Sequence, residues 1–460
     1  MINLEHPHIE LFEVEQLNTS ILDNCEISLE SATESDIVFY NNKNDAKSLE
    51  LLKERLSNSS VGLLVLAHRP KMKINRPYAV AQEGKFLDAQ KHFLNQLFPI
   101  NKNPKIIAIT GTNGKTTSTF LAQQLLNQVG VKAVAIGTTG VWGDQKYSFQ
   151  FKTTTPSYID LWKIFSSLQD EVSFFFLEAS SHALEQNRFG NFNFISAAWT
   201  NLTRDHLDYH QDMKSYFNAK KKILDFLIPE GRLILPSSQS SLREQLSSVP
   251  NLDIVEFSEA EKELISEVPF FKLQYNQENL LLAYKLAKSV CEDVNLDKVG
   301  SLKAPPGRFD LISKRENSYV VVDYAHTPDA VENVIASARE AFPGFAIKVI
   351  FGCGGSRDRQ KRSMMGEIVS GLSDEFIITN DNPRKEKPEA ILQDIVSGIL
   401  PAVKYNVELD RAKAIEIGVK NLSTKEILLI LGKGHETEQI FEDKTIYFSD
   451  HDEVMNNLKE

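Results

Sequence analysis

Eight residues place the strongest constraint on this chain. They are Thr110-Gly111-Thr112-Asn113-Gly114-Lys115-Thr116-Thr117, preceded by the apolar run "KIIAI" and followed by the helical pattern "STFLAQQLLNQVG". A strand that ends in glycine and reopens as a helix aims backbone N–H groups and the positive end of the helix dipole at one point, where a phosphate binds. Lys115 then serves the β- and γ-phosphates and the Thr116 hydroxyl a magnesium ion. The spacing departs from the common phosphate loop, since Ile109 stands five positions before Gly114 where glycine is usual. Such loops serve hydrolases, kinases and ligases alike, so the loop fixes the ligand and leaves the reaction open.

The surrounding pattern extends the constraint. Apolar runs "KIIAIT", "KAVAIGTT", "VSFFFLEAS" and "FISAAWTNL" alternate with helical stretches, as strands buried on both faces of a parallel sheet do. Gly130 stands where a helix C-terminal cap belongs. Beyond "SLKAPPGRFD" the runs "YVVVDYAHT", "IKVIFGCGG", "EFIITNDNP" and "EILLILGKGHE" repeat the pattern as a second α/β unit. Residues 1–103 carry no strong motif and close in "FPINKNPK", which reads as a linker. In both α/β stretches the unusual polar residues follow directly after the strands, so their loops should converge on a cleft between domains.

Composition closes off other classes. A net charge of −11 without a basic block excludes a polynucleotide surface. No apolar run is long enough to span a bilayer, and "MINLEHPHIELFEVEQL" has acids where a signal peptide needs basic and then apolar residues, so a cytoplasmic protein without a membrane partner is expected. Cys25, Cys291 and Cys353 lie far apart without metal-ligand spacing and read as buried thiols.

Two further stretches carry chemistry. Glu178 ends the run "SFFFL", a position suited equally to metal ligation and to capping the next turn. "NLTRDHLDYH" gathers Arg204, Asp205, His206, Asp208 and His210 after another strand, which alone reads as a surface charge cluster.

Taken together, "TGTNGKTT", "EASSHALEQNR", "NLTRDHLDYH", "YNQENLLLAY", "PPGRFD", "VDYAHTPDA", "FGCGGSRDR", "TNDNPR" and "GKGHE" resemble, in order, the ATP-dependent Mur ligases of peptidoglycan precursor synthesis, above all the branch that adds 2,6-diaminopimelate. The resemblance covers residues 105 to about 450. It implies an α/β protein of three domains: a small mixed N-terminal domain for the UDP-substrate (1–103), a central P-loop-type parallel-sheet ATPase domain (104–303) and a C-terminal Rossmann-like domain for the amino acid (304–460).

The implied reaction is phosphorylation of a substrate carboxylate by ATP, attack of an amine on the acyl phosphate, and collapse to an amide and phosphate. Lys115, Glu178, His206 and Lys220 are the implied catalytic set. Thr116 and Glu178 would hold one Mg²⁺; Glu178, His206 and Lys220, carbamylated by CO₂, a second. Lys221 and Lys222 should be solvated. ATP would be held by Gly111, Thr112, Asn113, Gly114, Lys115, Thr116, Thr117, Asn276, Asn279, Arg308, Asp323, Tyr324 and His326. UDP-MurNAc-L-Ala-D-Glu would meet Ser31, Thr154, Thr155, Ser180, Gln186 and Arg188, although Ala32 follows Ser31 where the family has arginine.

The acceptor follows from "DNPR". Asp381, Asn382, Pro383 and Arg384, with Arg357, Gly432 and Glu436, match the family's contacts to meso-diaminopimelate. A guanidinium suits its distal carboxylate, and Asp381 or Asn382 with Glu436 suits its ammonium. Ser356 stands before Arg357 where aspartate is usual. Lysine lacks the distal carboxylate and would leave Arg384 unpaired, a difference worth roughly 10⁴ in discrimination. The competing readings are the same ligase with L-lysine or another acceptor, a folylpolyglutamate synthetase relative, a P-loop regulatory NTPase, and a catalytically dead relative. A monomer is expected.

Overall fold

The computed structural model describes residues 2–459 apart from 16, 150, 152, 267, 316 and 402. The chain forms two compact units, one of Met1–Pro104, Pro156–Ser173 and Asn187–Phe192, the other of Lys105–Thr155, Phe174–Gln186 and Asn193–Glu460.

The smaller unit is built on a five-stranded sheet in the order Ile9–Phe12, Tyr78–Ala81, Leu63–Leu66, Asp36–Tyr40, Asn24–Glu26, parallel except for its first strand. Leu52 and Leu56 of helix Ala46–Ser57 bury against Val38, Leu64 and Leu66. Asp45 caps that helix, accepting from Ser48 N at 2.9 Å. The segment that reads as a linker is fastened to helix Tyr158–Leu168: Trp162 Nε1 donates to Phe98 O at 2.7 Å, and Asn101 N donates to Gln169 Oε1 at 2.7 Å. A capping box of Ser157 and Asp160 starts this helix.

The larger unit holds two main sheets. Eight strands run in the order Leu252–Val255, Leu227–Pro236, Phe194–Trp199, Ile106–Thr110, Phe174–Glu178, Ala133–Gly137, Gly140–Trp142, Lys146–Tyr147; the first six are parallel and the last two antiparallel additions. Six strands form the other: Asp310–Arg315, Ser318–Asp323, Glu426–Leu431, Ala346–Phe351, Glu375–Ile378, Tyr405–Val407, all parallel but the first. Central runs such as Ile106–Ile109 are fully buried because helices cover both faces. Helix Lys115–Gln128 shares a core with helix Gln274–Lys288 through Leu121, Leu125, Leu280 and Leu282. Its end is closed by Gly130 at φ +80, with Val131 N donating to Leu126 O at 3.0 Å, the cap anticipated from the sequence.

Cys25 and Cys353 are buried and Cys291 partly so; all three are free. No helix among the described residues is long and apolar enough to cross a membrane.

Candidate functional site

The site grows from strand Ile106–Thr110, which delivers Gly111 at φ +146 and Gly114 at φ +83. A Cβ at either would collide with Thr200 or Asn279, so only glycine fits. The loop between them is clamped by segment 200–203. Thr200 Oγ1 donates to Asn113 O at 2.6 Å, Asn113 N donates to Asn201 Oδ1 at 2.9 Å, and Thr112 Oγ1 donates to Thr203 O at 3.1 Å. Lys115 Nζ folds back on its own loop, donating to Gly111 O at 2.9 Å and Thr112 O at 2.8 Å. Thr116 and Thr117 are buried in the first turn of the helix.

Three sequence-predicted groups surround this loop. Glu178 is 1% exposed; it accepts from Thr116 Oγ1 at 2.9 Å, Thr138 N at 2.8 Å and Thr138 Oγ1 at 3.2 Å. Burial raises its pKa, opposed by the charges of Lys115 and Arg308. Lys220, also 1% exposed, ends helix Met213–Lys221 with Nζ donating to Gly111 O at 2.6 Å and lying 4.5 Å from the centre of the Tyr216 ring. Burial, and then the neighbouring Lys115 charge, drives its pKa well below the ordinary lysine value. Lys221 is partly exposed and Lys222 exposed.

The run 204–210 divides: His210 is buried and the Asp205 carboxylate largely so, Arg204 and His206 are partly exposed, and Asp208 is exposed. Arg204 Nη2 donates to Gln360 Oε1 at 2.7 Å, Asp205 Oδ2 lies 3.3 Å from His206 Nε2, and buried His210 shares a 2.9 Å hydrogen bond with Ser181 Oγ. Burial alone would raise the Asp205 carboxyl, but His206, His326 and Lys361 outweigh it and hold it low. His206 at φ +54 and Gln211 at φ +71 bracket the single helical turn Leu207–His210.

A cleft of about 740 Å³ opens beside the loop, lined by Gly114, Asn276, Asn279, Arg308, Asp323 and His326, with Tyr324 between them. Arg308 is no surface salt bridge: its guanidinium stacks 4.5 Å from the centre of the Tyr324 ring, and Nη2 donates to Thr116 Oγ1 at 3.3 Å. Asn279 Nδ2 donates to Asn276 Oδ1 at 3.4 Å. Asp323 spends its carboxylate on Phe309 N at 2.6 Å and Ala325 N at 2.7 Å, and burial raises its pKa. Burial and Lys361 hold His326 down to about 4.

A second cleft of about 740 Å³ shares Tyr324 and His326 and receives Arg357, Asp381, Asn382, Arg384, Gly432 and Glu436. Arg384, at φ +54, donates to Gly355 O at 3.1 Å and Asn382 O at 3.4 Å; Arg357 is exposed. Neither guanidinium has an ion-pair partner among the described residues. Burial and the Arg357 charge lower the Arg384 pKa. Pro383 packs its carbonyl against Gly355, where no side chain fits.

The predicted substrate threonines differ. Thr154 Oγ1 accepts from Thr138 Oγ1 at 3.3 Å, whereas Thr155 is fully buried and its hydroxyl is spent on Glu178 O at 2.7 Å and Ser180 N at 3.0 Å. Ser180 caps helix Ser181–Glu185, and exposed Gln186 donates to Tyr209 OH at 3.3 Å. Ser31, exposed, and Arg188, half-buried, belong to the smaller unit.

With this geometry in view, residues 109–296 match the Mur ligase middle domain and residues 307–434 the Mur ligase, glutamate ligase domain. The chain is 37% identical over 371 residues to the UDP-N-acetylmuramoyl-L-alanyl-D-glutamate--2,6-diaminopimelate ligase of Fusobacterium nucleatum subsp. nucleatum, covering 75% of this chain and 76% of that protein. This chain is a Mur ligase. A solved structure of a UDP-N-acetylmuramoyl-L-alanyl-D-glutamate--2,6-diaminopimelate ligase is similar over 95% of both chains, with 26% identity and a TM-score of 0.57. MurF from Acinetobacter baumannii shares the fold at 14% identity and a TM-score of 0.60, over 95% of this chain and 94% of that one.

Several residues of this Mur ligase escaped sequence reasoning. Asp329, at the start of helix Pro328–Ala341, accepts from Asn113 Nδ2 at 2.7 Å and joins the phosphate loop to the C-terminal sheet's helices. Lys433 is fully buried and donates to Asn382 Oδ1 at 3.1 Å, Glu436 Oε2 at 2.9 Å and Glu438 O at 2.6 Å. It fixes the two residues expected at the acceptor's ammonium. The basic run "RDRQKR" also divides: Arg362 is buried and paired with Glu386 at 2.9 Å and Asp394 at 2.8 Å, while Arg357 faces the cleft. "GKGHE" held the one available signal for Lys433; Asp329 had none beyond "TPD" at a helix start.

Among the described residues, no group of three or more His, Cys, Asp or Glu stands ready to hold a metal. The buried Thr116–Glu178 pair beside the loop nevertheless fits magnesium, which takes one or two protein oxygens and completes its shell with phosphates and water.

Proposed function

We propose that this Mur ligase uses ATP to join meso-diaminopimelate to the D-glutamyl carboxylate of UDP-MurNAc-L-Ala-D-Glu. The carrying observation is the second cleft, where two guanidiniums without carboxylate partners, Arg357 and Arg384, share a wall with Asp381 and Glu436. That pairing complements a ligand end bearing both a carboxylate and an ammonium. The name of the Fusobacterium relative supports the same substrates.

The chemistry follows from charge. A carboxylate oxygen attacks the γ-phosphorus of ATP and ADP leaves; the acceptor's amine attacks the resulting acyl phosphate, and phosphate departs as the amide forms. Lys115 and Arg308 offset the repulsion between the two anions. Thr116 and Glu178 would hold one Mg²⁺, and Glu178, His206 and carbamylated Lys220 another; bound there, magnesium supplies further positive charge to the phosphates. Burial, and then the Lys115 charge, lower the Lys220 pKa and so favour the neutral amine, the form that adds CO₂ to give a carbamate and a proton. Gly111 to Thr117, with Asn276, Asn279, Asp323, Tyr324 and His326, shape the ATP site. Thr154, Ser180 and Gln186 are proposed contacts of the muramoyl-dipeptide, with Thr155 holding their loop, and Ser31 and Arg188 contacts from the smaller unit.

The test is the mass of the product formed when UDP-MurNAc-L-Ala-D-Glu is offered diaminopimelate, lysine and ornithine together. Addition of diaminopimelate is expected; a lysine or ornithine adduct as the main product would reassign the acceptor. ATP hydrolysis at full rate with neither substrate present would instead mark a regulatory NTPase.

A further inference from the structure

Helix Arg411–Lys420 opens in a way that its own stability does not explain. Asp410 caps it, accepting from Ala412 N at 3.1 Å and Lys413 N at 3.3 Å, yet the first helical residue is an arginine, a cation set against the positive end of the helix dipole. Arg411 is 1% exposed, and its partner Asp450, the first residue of helix Asp450–Lys459, is fully buried. The two form a bidentate pair, Arg411 Nε donating to Asp450 Oδ1 and Nη2 to Asp450 Oδ2, both at 2.7 Å. Removing two charges from water is costly, and apolar side chains of similar volume often serve stability as well or better. Ala414, Ile415, Val419 and Val454 already give the two helices a common core. The pair calls for another purpose.

The remaining bonds of the guanidinium show where that purpose lies. Nη2 also donates to Leu431 O at 3.0 Å, and Nη1 to Asn380 O at 3.3 Å. Leu431 ends strand Glu426–Leu431 and is followed by Gly432; Asn380 lies just beyond strand Glu375–Ile378 and is followed by Asp381. Gly432 and Asp381 both line the second cleft. Their strands are not neighbours, because Ala346–Phe351 lies between them, so the two loops are not joined by a shared ladder. The spacing of the loops is nevertheless tight: a Cβ at Gly432 would stand 2.8 Å from Asp381 Oδ2. A planar guanidinium with fixed donor directions, clamped by Asp450, spans both loop roots as one rigid brace. Burial works against the Arg411 charge, but Asp450, and after it Asp381 and Glu436 of the cleft, outweigh burial and raise the pKa.

We propose that Arg411 is a positioning residue for the amino-acid acceptor, held by Asp450 so that it fixes the spacing of Asp381 and Gly432. This rests on the acceptor reading of the second cleft. Arg411 acts on the loops and not on the acceptor itself, so its loss should weaken use of the acceptor without touching the nucleotide. Two variants remove the brace differently. Arg411→Met combined with Asp450→Leu takes away both buried charges and keeps most of the volume, so it should melt within a few degrees of the wild type. Arg411→Lys keeps a cation beside Asp450 but lacks the fork that reaches both carbonyls.

The measurement is steady-state kinetics of the full-length enzyme with ATP, UDP-MurNAc-L-Ala-D-Glu and varied diaminopimelate, alongside calorimetric titration of ADP with magnesium and thermal melts. In both variants the KM for diaminopimelate should rise about 10-fold, the scale of loss when a remote substitution shifts a binding group, while ADP affinity stays at the wild-type value. Lys348→Met is the control. Lys348 spans the same two strands at their opposite ends, 2.9 Å from Glu426 and 3.5 Å from Glu375, and its loss should leave the KM for diaminopimelate unchanged whatever the melting temperature. The proposal is overturned if a folded Arg411 variant keeps the wild-type KM, if ADP affinity falls in step, or if Lys348→Met raises the KM as much. Arg411→Lys decides alone if the double variant does not fold. Wild-type enzyme that transfers nothing to diaminopimelate would overturn the acceptor reading itself, a distinct failure.

Discussion

The two clefts of the larger unit share Tyr324 and His326 yet manage their charges in opposite ways. Around the phosphate loop the functional groups are spent on one another: Lys115 and Lys220 on loop carbonyls, Glu178 on Thr116 and Thr138, Asn113 on Asp329. A ligand there must exchange existing bonds for new ones. In the neighbouring cleft Lys433, Asn382 and Glu436 are interlocked, but Arg357 and Arg384 face the cavity with no carboxylate. A ligand there gains charge-assisted bonds with little to displace. On the proposed function, the shared chemistry belongs to one wall and the choice of acceptor to the other.

That division can be broken most severely at Lys220. Lys220→Ala should lower turnover by roughly 10³-fold or more, as loss of a group stabilising developing charge does, with partial recovery on adding formate or acetate. Steady-state rates with and without the acid decide it; near-wild-type turnover in the variant would remove the carbamate from the proposal.

At Arg384 the effect should fall on one cleft alone. Arg384→Ala should reduce kcat/KM for diaminopimelate by about 10²-fold, the order expected when one partner of a desolvated charged pair is deleted, while ADP affinity measured by titration is unchanged. A matching loss in ADP affinity would show that the two walls are not independent.

The smallest effect concerns the acids behind the acceptor cleft. Hydrogen bonds from Arg362 hold Glu386 below its usual range, and those from Arg359 and Arg362 do the same for Asp394. Folded-state pKa values below the unfolded ones mean stability that is present above the ordinary carboxylate values of 4.5 and 3.8 and is lost as pH falls through the depressed ones. Glu386→Gln should therefore cost about 1 kcal/mol at pH 7, and less as the pH is lowered towards 3. Melting curves across that range check the sign; a constant difference would detach Glu386 from the titration.

What the sequence made legible follows the same physical divide. Continuous apolar runs announce doubly covered strands, and Gly111, Gly114 and Gly130 mark backbone that other residues strain to adopt, so the parallel strands and the phosphate loop could be read directly. The short antiparallel additions Gly140–Trp142 and Lys146–Tyr147, and the sheet of the smaller unit, depend on pairing between brief, weakly patterned segments. The pairing of Arg362 has no signal in the sequence because its acids, Glu386 and Asp394, come from 24 and 32 residues away. Thr155 matched a motif in register but not in exposure.

The turn Leu207–His210 has a consequence for how this region tolerates change. Left-handed backbone at residues with side chains costs of order 1 kcal/mol each, and here two such positions stand five residues apart. Selection for heat resistance alone would favour glycine at both, yet only Gln211 is free to yield, because His206 carries the imidazole held against Asp205. If His206 serves catalysis as proposed, robustness and competence pull on the same few residues, and this corner is where a hardier descendant of the enzyme would first begin to lose its trade.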